Sequence, residues 1–406
     1  MPISIRAKKL QSKPSAIMQG HELCGSNPYS LQNPEGYLNF GTAENHLMNS
    51  YLLEKINSPI FMEESQIHYN ELFGMEETRM SVANFLEKYL NLESIKPENL
   101  IIQSGVSAIC ESLSFAMFDE DDYIMIPTPY YSGFDHDFTK RFGCKFLKVD
   151  QLRENHFSLN IDSFITEFNN STDKKKIKAV LITHPNNPTG EILSQNFMDE
   201  MISFCLKNNL DLICDEIYAL SCHQKTQHQS LYQRAINSGV RAHLLYGMAK
   251  DFAMAGLKVG FYYSNELDIL ASMKNLSYFH PVSTHTQVLI KNIFEDTYFI
   301  DEMISMNQKK LLSTKLIIES ELSHLNFLPS EAGLFILFDL SSICKSFDDE
   351  LKLFNHFLDH YRINMSPGES LGLKIPGFFR VCYAMRKENI LEFIHRMKKF
   401  SPHEYK

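Results

Sequence analysis

Four short apolar runs stop abruptly at polar or turn residues, and that pattern constrains the fold more than any other feature of the chain. Asn99-Leu-Ile-Ile-Gln103 runs into SGVSA, Tyr123-Ile-Met-Ile126 into PTPYYSG, Ala179-Val-Leu-Ile182 into THPNNPTG, and Leu210-Asp-Leu-Ile-Cys214 into DEIY. Runs of this length without alternation suit strands buried on both faces, as in a parallel sheet. Helix-period segments lie between them: residues 108–118 put Ile109, Leu113 and Met117 on one face, and 196–206 behave alike. Alternating strands and helices over about 70–265 predict an α/β domain. From about 285 the pattern changes, with helical stretches at 289–324, 347–360 and 387–400 around strand-like FILFDL (335–340) and FFRVCYA (378–384). That is an α+β unit, and the first 45 or so residues are expected to pack with it.

Ligands of open parallel sheets bind beyond the carboxyl ends of the strands, so the polar tails read as one site. Gly105-Val106-Ser107, between a strand and a helix, offers free backbone N–H groups, a positive dipole end and a hydroxyl, which together make an anion seat. Asn187 in HPNNPTG stands in a tight turn that can aim its amide inward. Asp215 follows LDLIC directly, with Tyr218 three residues on. Lys250 lies among Gly247, Met248 and Ala249. Such apolar surroundings disfavour the ammonium ion and free a nucleophilic amine of the kind that forms Schiff bases.

Each of these residues taken singly has an ordinary explanation as a turn, a cap or a surface side chain. Jointly they are the groups that pyridoxal 5′-phosphate demands. Those groups are a lysine for its aldehyde, a carboxylate (Asp215) to keep the ring nitrogen protonated, donors to the phenolate oxygen (Asn187, Tyr218) and donors to the phosphate. An aromatic should cover one ring face, with Tyr131 best placed and Tyr130 second.

The ordered motifs SGVSA, PTPYY, PNNPTG, DEIY, AK with a cation eight residues on, and FFRVCYA span nearly the whole chain. In this the chain resembles the fold-type I, class I/II aminotransferase superfamily. Within it, NPYSLQNPEGYLNFGTAENHL (27–47), IPTPYYSGFDHDF (126–138), SYFHPVSTHTQ (277–287) and NMSPGESLGLKIPGFFRVCYA (364–384) are similar to 1-aminocyclopropane-1-carboxylate (ACC) synthases and their relatives.

The resemblance implies a large cofactor-binding domain with a mostly parallel sheet flanked by helices (46–284). It also implies a smaller α+β domain (285–406), with residues 1–45 packing against the latter. Lys250 matches the Schiff-base lysine, Asp215, Asn187 and Tyr218 the ring-binding trio, and Val106 and Ser107 the phosphate loop. Arg380 matches the arginine that takes the substrate α-carboxylate, while Glu44 and Asn45 match a substrate-side segment. Lys258 sits where the family usually has an arginine on the phosphate, and Gly247 replaces a usual serine, so both are expected to weaken cofactor retention. Tyr69, at Tyr-x4-Gly74, fits the aminotransferase tyrosine lent to a neighbouring subunit, whereas ACC synthases have a tyrosine where this chain has Leu72.

Composition closes off other classes. Forty-nine acidic against 39 basic residues give a net charge of −10, which argues against a nucleic-acid or anionic-membrane surface. Lys174-Lys175-Lys176-Ile177-Lys178 reads as a solvated loop entering a strand. Eight cysteines without a CxxC pair read as reduced, buried thiols of a cytoplasmic protein, and no apolar stretch approaches a membrane span. His223 and His228 beside Cys222 do not follow a zinc pattern and read as solvated loop residues. Asp135-His136-Asp137 has no serine or cysteine partner in motif context. The sequence thus points to an amino-acid aminotransferase of the ACC-synthase-like branch, with a homodimer sharing its active site. The alternatives are ACC synthase itself and a retired homologue that acts by binding.

Overall fold

The computed structural model describes residues 3–11, 15–223 and 228–402. Seven strands form the main sheet: β1 (Leu100–Gln103), β2 (Tyr123–Thr128), β3 (Lys145–Asp150), β4 (Ile177–Thr183), β5 (Asp211–Asp215), β6 (Ala242–Gly247) and β7 (Gly260–Ser264). Their spatial order is β1-β7-β6-β5-β4-β2-β3. All neighbours run parallel except β7, which is antiparallel to both β1 and β6. The four predicted runs are four of these strands, and their interiors are fully buried, as strands covered by helices on both faces must be.

The antiparallel β7 has a consequence for the site. Because it runs against the others, its amino end, not its carboxyl end, lies at the edge where the other strands finish. Lys258, two residues before β7, therefore arrives at the same edge as the tails of β1, β4, β5 and β6.

Helix α1 (Val106–Met117) follows β1 and α2 (Gln195–Asn208) precedes β5. The Ser194 hydroxyl caps α2 by accepting from the Phe197 N–H, and Asn209 ends it in the left-handed region. The expected single helix over 289–324 is instead two, α3 (Thr284–Glu295) and α4 (Thr297–Glu321). Asp296 separates them: it ends α3, and its carboxylate accepts from the Phe299 N–H to start α4. Apolar periodicity continues across that break, which is why spacing alone ran the two together.

A second, four-stranded antiparallel sheet holds β8 (Phe335–Asp339) beside β9 (Phe378–Cys382), flanked by the short strands Asn326–Phe327 and Ser366–Pro367. Leu38–Asn39 pairs in parallel with Ile363–Asn364, and the helix Ala16–Ser26 packs on the same region, so the N-terminal segment lies against the C-terminal sheet. Lys174–Lys176 form an exposed turn leading into β4. All eight cysteines are free and buried. Among the described residues no helix is long and apolar enough to cross a membrane, and no cluster of His, Cys, Asp or Glu could hold a metal.

The two histidines differ from expectation. Both are buried: the Tyr383 hydroxyl meets His223 Nε2 at 2.7 Å, and His228 Nε2 pairs with the fully buried Glu216 at 2.9 Å. Residues 224–227 between them lie outside the described part. A polar-looking sequence had concealed two interior contacts, one of which ties β9's tail to the segment after β5.

Candidate active site

The strand tails meet around a cavity of about 180 Å³. At one end stand Asp215, Asn187, Tyr218 and Lys250; at the other are Gly105, Val106, Ser107 and Lys258. Tyr131 lines the wall between Phe134 and Asp137. Tyr130 does not: it is 4% exposed and its hydroxyl donates to Asp135 at 3.1 Å.

Register fixes the ring of polar groups. Asp215 ends β5 opposite Thr183 of β4, and the Thr183 hydroxyl donates to Asp215 Oδ2 at 3.2 Å. The other oxygen accepts from the Ile217 N–H. Burial pushes the Asp215 carboxyl up to about 7, against the pull of those two donors and of Lys250. The site therefore holds a carboxyl that a cation opposite it would ionise.

Lys250 follows β6, and its Nζ donates to the Ala43 carbonyl at 2.7 Å. Burial, seconded by the Arg380 charge, pulls its amine down to about 8, as apolar surroundings require. Tyr218 is buried and its phenol is pushed well up, so it remains a donor.

Behind this ring lies Arg380, from the middle of β9. It donates through Nη1 to Asn187 Oδ1 at 3.1 Å and through Nη2 to the Gly41 carbonyl at 2.5 Å and Ser366 Oγ at 3.2 Å. Its guanidinium carbon stands 5.4 Å from the Phe335 ring centre. With its oxygen taken, the Asn187 amide can turn only its NH2 group away from Arg380, and Nδ2 lies 3.5 Å from the Tyr218 hydroxyl. Arg380 Nε is buried and has no partner. A buried, charged donor left unpaired is costly and marks a seat for an anion.

The other end is built from close backbone approach. Gly105 takes φ 94° and precedes α1 with no side-chain cap, leaving first-turn N–H groups free. A Cβ on Gly260 would fall 2.6 Å from the Gly105 carbonyl carbon and the Val106 nitrogen. One on Gly247 would meet the Val259 carbonyl oxygen at 2.8 Å and Val106 at 3.0 Å. Glycine at 247 is thus required by the contact between β6, β7 and the loop, and a serine does not fit this backbone. Lys258 is left-handed at φ 54°, and its Cε and Nζ lie 3.5 Å from where a Gly105 Cβ would be.

Four expected site residues lie outside the cavity lining: Arg380, which stands behind it, and Tyr69, Asn45 and Glu44. Tyr69 is fully exposed. The Asn45 side chain is spent on Asn307 Oδ1 at 2.8 Å and the Leu47 N–H. Glu44 pairs with His46 at 3.5 Å, and that hydrogen bond, with Lys250 adding to it, lowers its carboxyl. Sequence reading missed Thr183, Gly41, Ser366 and Asp137. The first three act through contacts across distant segments that no local pattern announces. Asp137 lay in view within PTPYYSGFDHD, but nothing in its spacing says that the turn Asp135–Thr139 folds back on α1.

The family model for aminotransferase class I and II matches residues 38–397. The chain belongs to that family. It is similar to 1-aminocyclopropane-1-carboxylate synthase 7 of Arabidopsis thaliana, at 30% identity over 93% of this chain and 90% of the relative. It also matches 1-aminocyclopropane-1-carboxylate synthase 3 of Solanum lycopersicum, at 30% over 95% and 88%. Among solved structures, the aspartate aminotransferase of Thermus thermophilus with maleate superposes with a TM-score of 0.82 at 18% identity, covering 98% of this chain and 99% of the other. The aromatic aminotransferase of Pyrococcus horikoshii OT3 gives 0.76 at 22%, covering 89% and 95%; these two establish the fold. The family member described here is a pyridoxal phosphate-dependent enzyme. Its cavity fits the cofactor, with an uncapped helix start at one end and a lysine and a carboxyl at the other, and a guanidinium with an unpartnered Nε stands behind it.

Proposed function

We propose that this enzyme removes the proton from Cα of an α-amino acid and returns a keto acid, as an aminotransferase. The observation that carries the reading is the shared cavity of Lys250 and Asp215, an amine drawn down to about 8 beside a carboxyl pushed up to about 7. When bound, the cofactor supplies an electron sink for the charge left at Cα. The residues divide the remaining work.

Arg380, whose Nε has no partner, takes the substrate carboxylate through its buried positive charge. Lys250 would be the base that accepts the Cα proton, and its lowered basicity suits that task near neutral pH. Asp215 would keep a proton at the cofactor's ring nitrogen, and Asn187 and Tyr218 would donate to its phenolate oxygen. The first-turn N–H groups of Val106 and Ser107, with Lys258, hold the phosphate. Tyr131 covers a ring face. Glu44 and Asn45 follow Ala43, whose carbonyl receives Lys250, and so border the site through their backbone segment while their side chains are engaged elsewhere.

Transamination is preferred over ring closure because position 72 is leucine where ACC synthases carry a tyrosine. The second reading, formation of 1-aminocyclopropane-1-carboxylate from S-adenosylmethionine, is supported by the names of the relatives. Incubating the holoenzyme with amino acids plus an α-keto acid, and separately with S-adenosylmethionine, divides the two. Keto-acid turnover without methylthioadenosine is expected; methylthioadenosine release with no amino transfer would overturn the first reading.

A homodimer sharing its sites is part of the proposal. Tyr69 projects fully exposed, and Phe61, Ile67, Tyr278 and Phe279 are each at least 69% exposed, an apolar display that suits a subunit contact. Sedimentation at micromolar concentration tests it.

A further inference from the structure

The phosphate end of the cavity contains an anion of its own. Asp137 lines it, carried on the turn Asp135–Thr139 that packs against α1. Its carboxylate is within reach of the Ser107 hydroxyl and in the field of Lys258, the two side chains assigned above to the phosphate. A phosphate brings about −1.5 to −2 charges. Two anions cannot share one hydroxyl and one ammonium ion without a proton between them.

No other cation relieves the conflict. On its own turn, Asp135 accepts from Tyr130, and His136 is exposed. From α1 only Ser107 and the Cys110 thiol face it, and from the preceding loop the Tyr131 phenol. The lysines of β3 are engaged elsewhere, Lys145 with Asp121 and Lys148 over the Tyr130 ring. Among the described residues Lys258 is the single facing cation.

We propose that Asp137 is a built-in competitor for the phosphate seat: its carboxylate shares one cavity end with Ser107 and Lys258 in the absence of the cofactor and takes up a proton when the phosphate arrives. This rests on the assignment of Ser107 and Lys258 to the phosphate. Burial already pushes the Asp137 carboxyl up to about 6, with Ser107 and Lys258 holding it back. A neighbouring phosphate raises it further. Between those two values binding consumes a proton, so affinity for a phosphate-bearing ligand rises as pH falls, by up to about tenfold per pH unit.

The test compares pyridoxal 5′-phosphate with pyridoxal, which lacks the phosphate but meets Lys250 in the same way. Enzyme stripped of cofactor is titrated with each, by absorbance, between pH 8 and pH 6.5. The ratio of the two affinities isolates the phosphate. In the wild type it should rise as pH falls. Asp137→Asn should raise it about tenfold at pH 8 and flatten its pH dependence, leaving pyridoxal binding unchanged. Calorimetry of the wild type in two buffers of different ionisation enthalpy should show more proton uptake with the phosphate ligand than with pyridoxal, the difference removing the proton that Lys250 gives up to either aldehyde, without reliance on any variant. An unchanged or lowered ratio in Asp137→Asn, or the same proton uptake with both ligands, overturns the proposal. Ser107→Ala and Lys258→Ala separate its failure from that of the assignment beneath it. If they lower the ratio while Asp137→Asn does not raise it, only the competitor is wrong. If neither lowers it, the phosphate seat lies elsewhere and both fall.

Discussion

The two ends of one cavity are built on different principles. At the ring end Asp215, Asn187, Tyr218 and Arg380 are each at most 5% exposed; hydrogen bonds join Tyr218, Asn187 and Arg380 of β9, and Asp215 is held by Thr183. At the phosphate end glycines let backbone approach backbone, the one facing cation is a single-pointed lysine, and a carboxylate sits among the donors. Side-chain networks in a dry interior fix direction strongly and tolerate little change. Backbone donors and a flexible ammonium ion grip without fixing angle. On the proposed assignment, orientation of the reacting centre is set rigidly, and retention of the cofactor is adjustable.

The ring end should therefore show the largest effects. Lys250→Ala is expected to abolish the adduct trapped by borohydride and seen by intact mass. It should lower turnover by at least about 10³-fold, the weight of a lost base together with the lost covalent tether. Arg380→Lys should raise KM for the amino acid on the order of 100-fold, because a point charge replaces a fork whose other arms also hold Asn187 and Gly41. If Arg380→Lys moved only cofactor binding and left KM alone, the division between the two ends would be misdrawn.

A pH experiment sharpens the same point. The amine of Lys250 is pulled down first by burial and then by Arg380. Only the neutral amine captures an aldehyde, so pyridoxal capture by the stripped enzyme should rise with pH through about 8 and level off above it. In Arg380→Leu the midpoint should move upward, by less than burial contributes. A midpoint near that of ordinary lysine in the wild type would mean that the ring end is wetter than its packing implies.

How much of this could be read in advance follows the same division. Asp215, Asn187, Tyr218 and Lys250 were legible because each ends a strand or follows a turn, and strand ends of a parallel sheet converge wherever the strands lie in sequence. The sheet itself was legible for β1, β2, β4 and β5, whose interiors are unbroken aliphatic runs. The antiparallel β7 was not, and it alone explains why Lys258 reaches the site. Equally hidden were the buried roles of His223 and His228, and the turn that delivers Asp137. Each depends on a contact between segments far apart in sequence, and local periodicity carries no information about it. Gly247 reads as the loss of a serine until Val259 is seen 2.8 Å from its missing Cβ.

That contact supplies a smaller prediction, against intuition. Gly247→Ser restores a hydroxyl at the phosphate end, yet should destabilise the apoenzyme by about 1–3 kcal/mol, since backbone of β7 must move to admit the Cβ. Chemical denaturation measures it. A serine variant as stable as the wild type would show that the glycine contact is looser than the 2.8 Å approach implies.

The smallest expected effect bears most directly on the contrast. Lys258→Arg keeps the charge and changes only its shape. Position 258 is left-handed at φ 54°, and lysine and arginine bear the same backbone cost there, so stability should barely change. The stem of either side chain can lie along Gly105, which has no Cβ to obstruct it. The guanidinium adds a second N–H aimed at the same anion, and a two-pronged contact to phosphate should tighten cofactor binding about three- to tenfold. It should leave KM for the amino acid unaltered, because Arg380 and the ring end are not touched. An absorbance titration of the stripped variant gives the first quantity and steady-state kinetics at saturating cofactor the second. Were the arginine variant to bind no better, the weakness at that end would lie in the competing carboxylate of Asp137 and not in the shape of the cation, and the two variants combined would show it: Asp137→Asn would then tighten binding equally with lysine or arginine at 258.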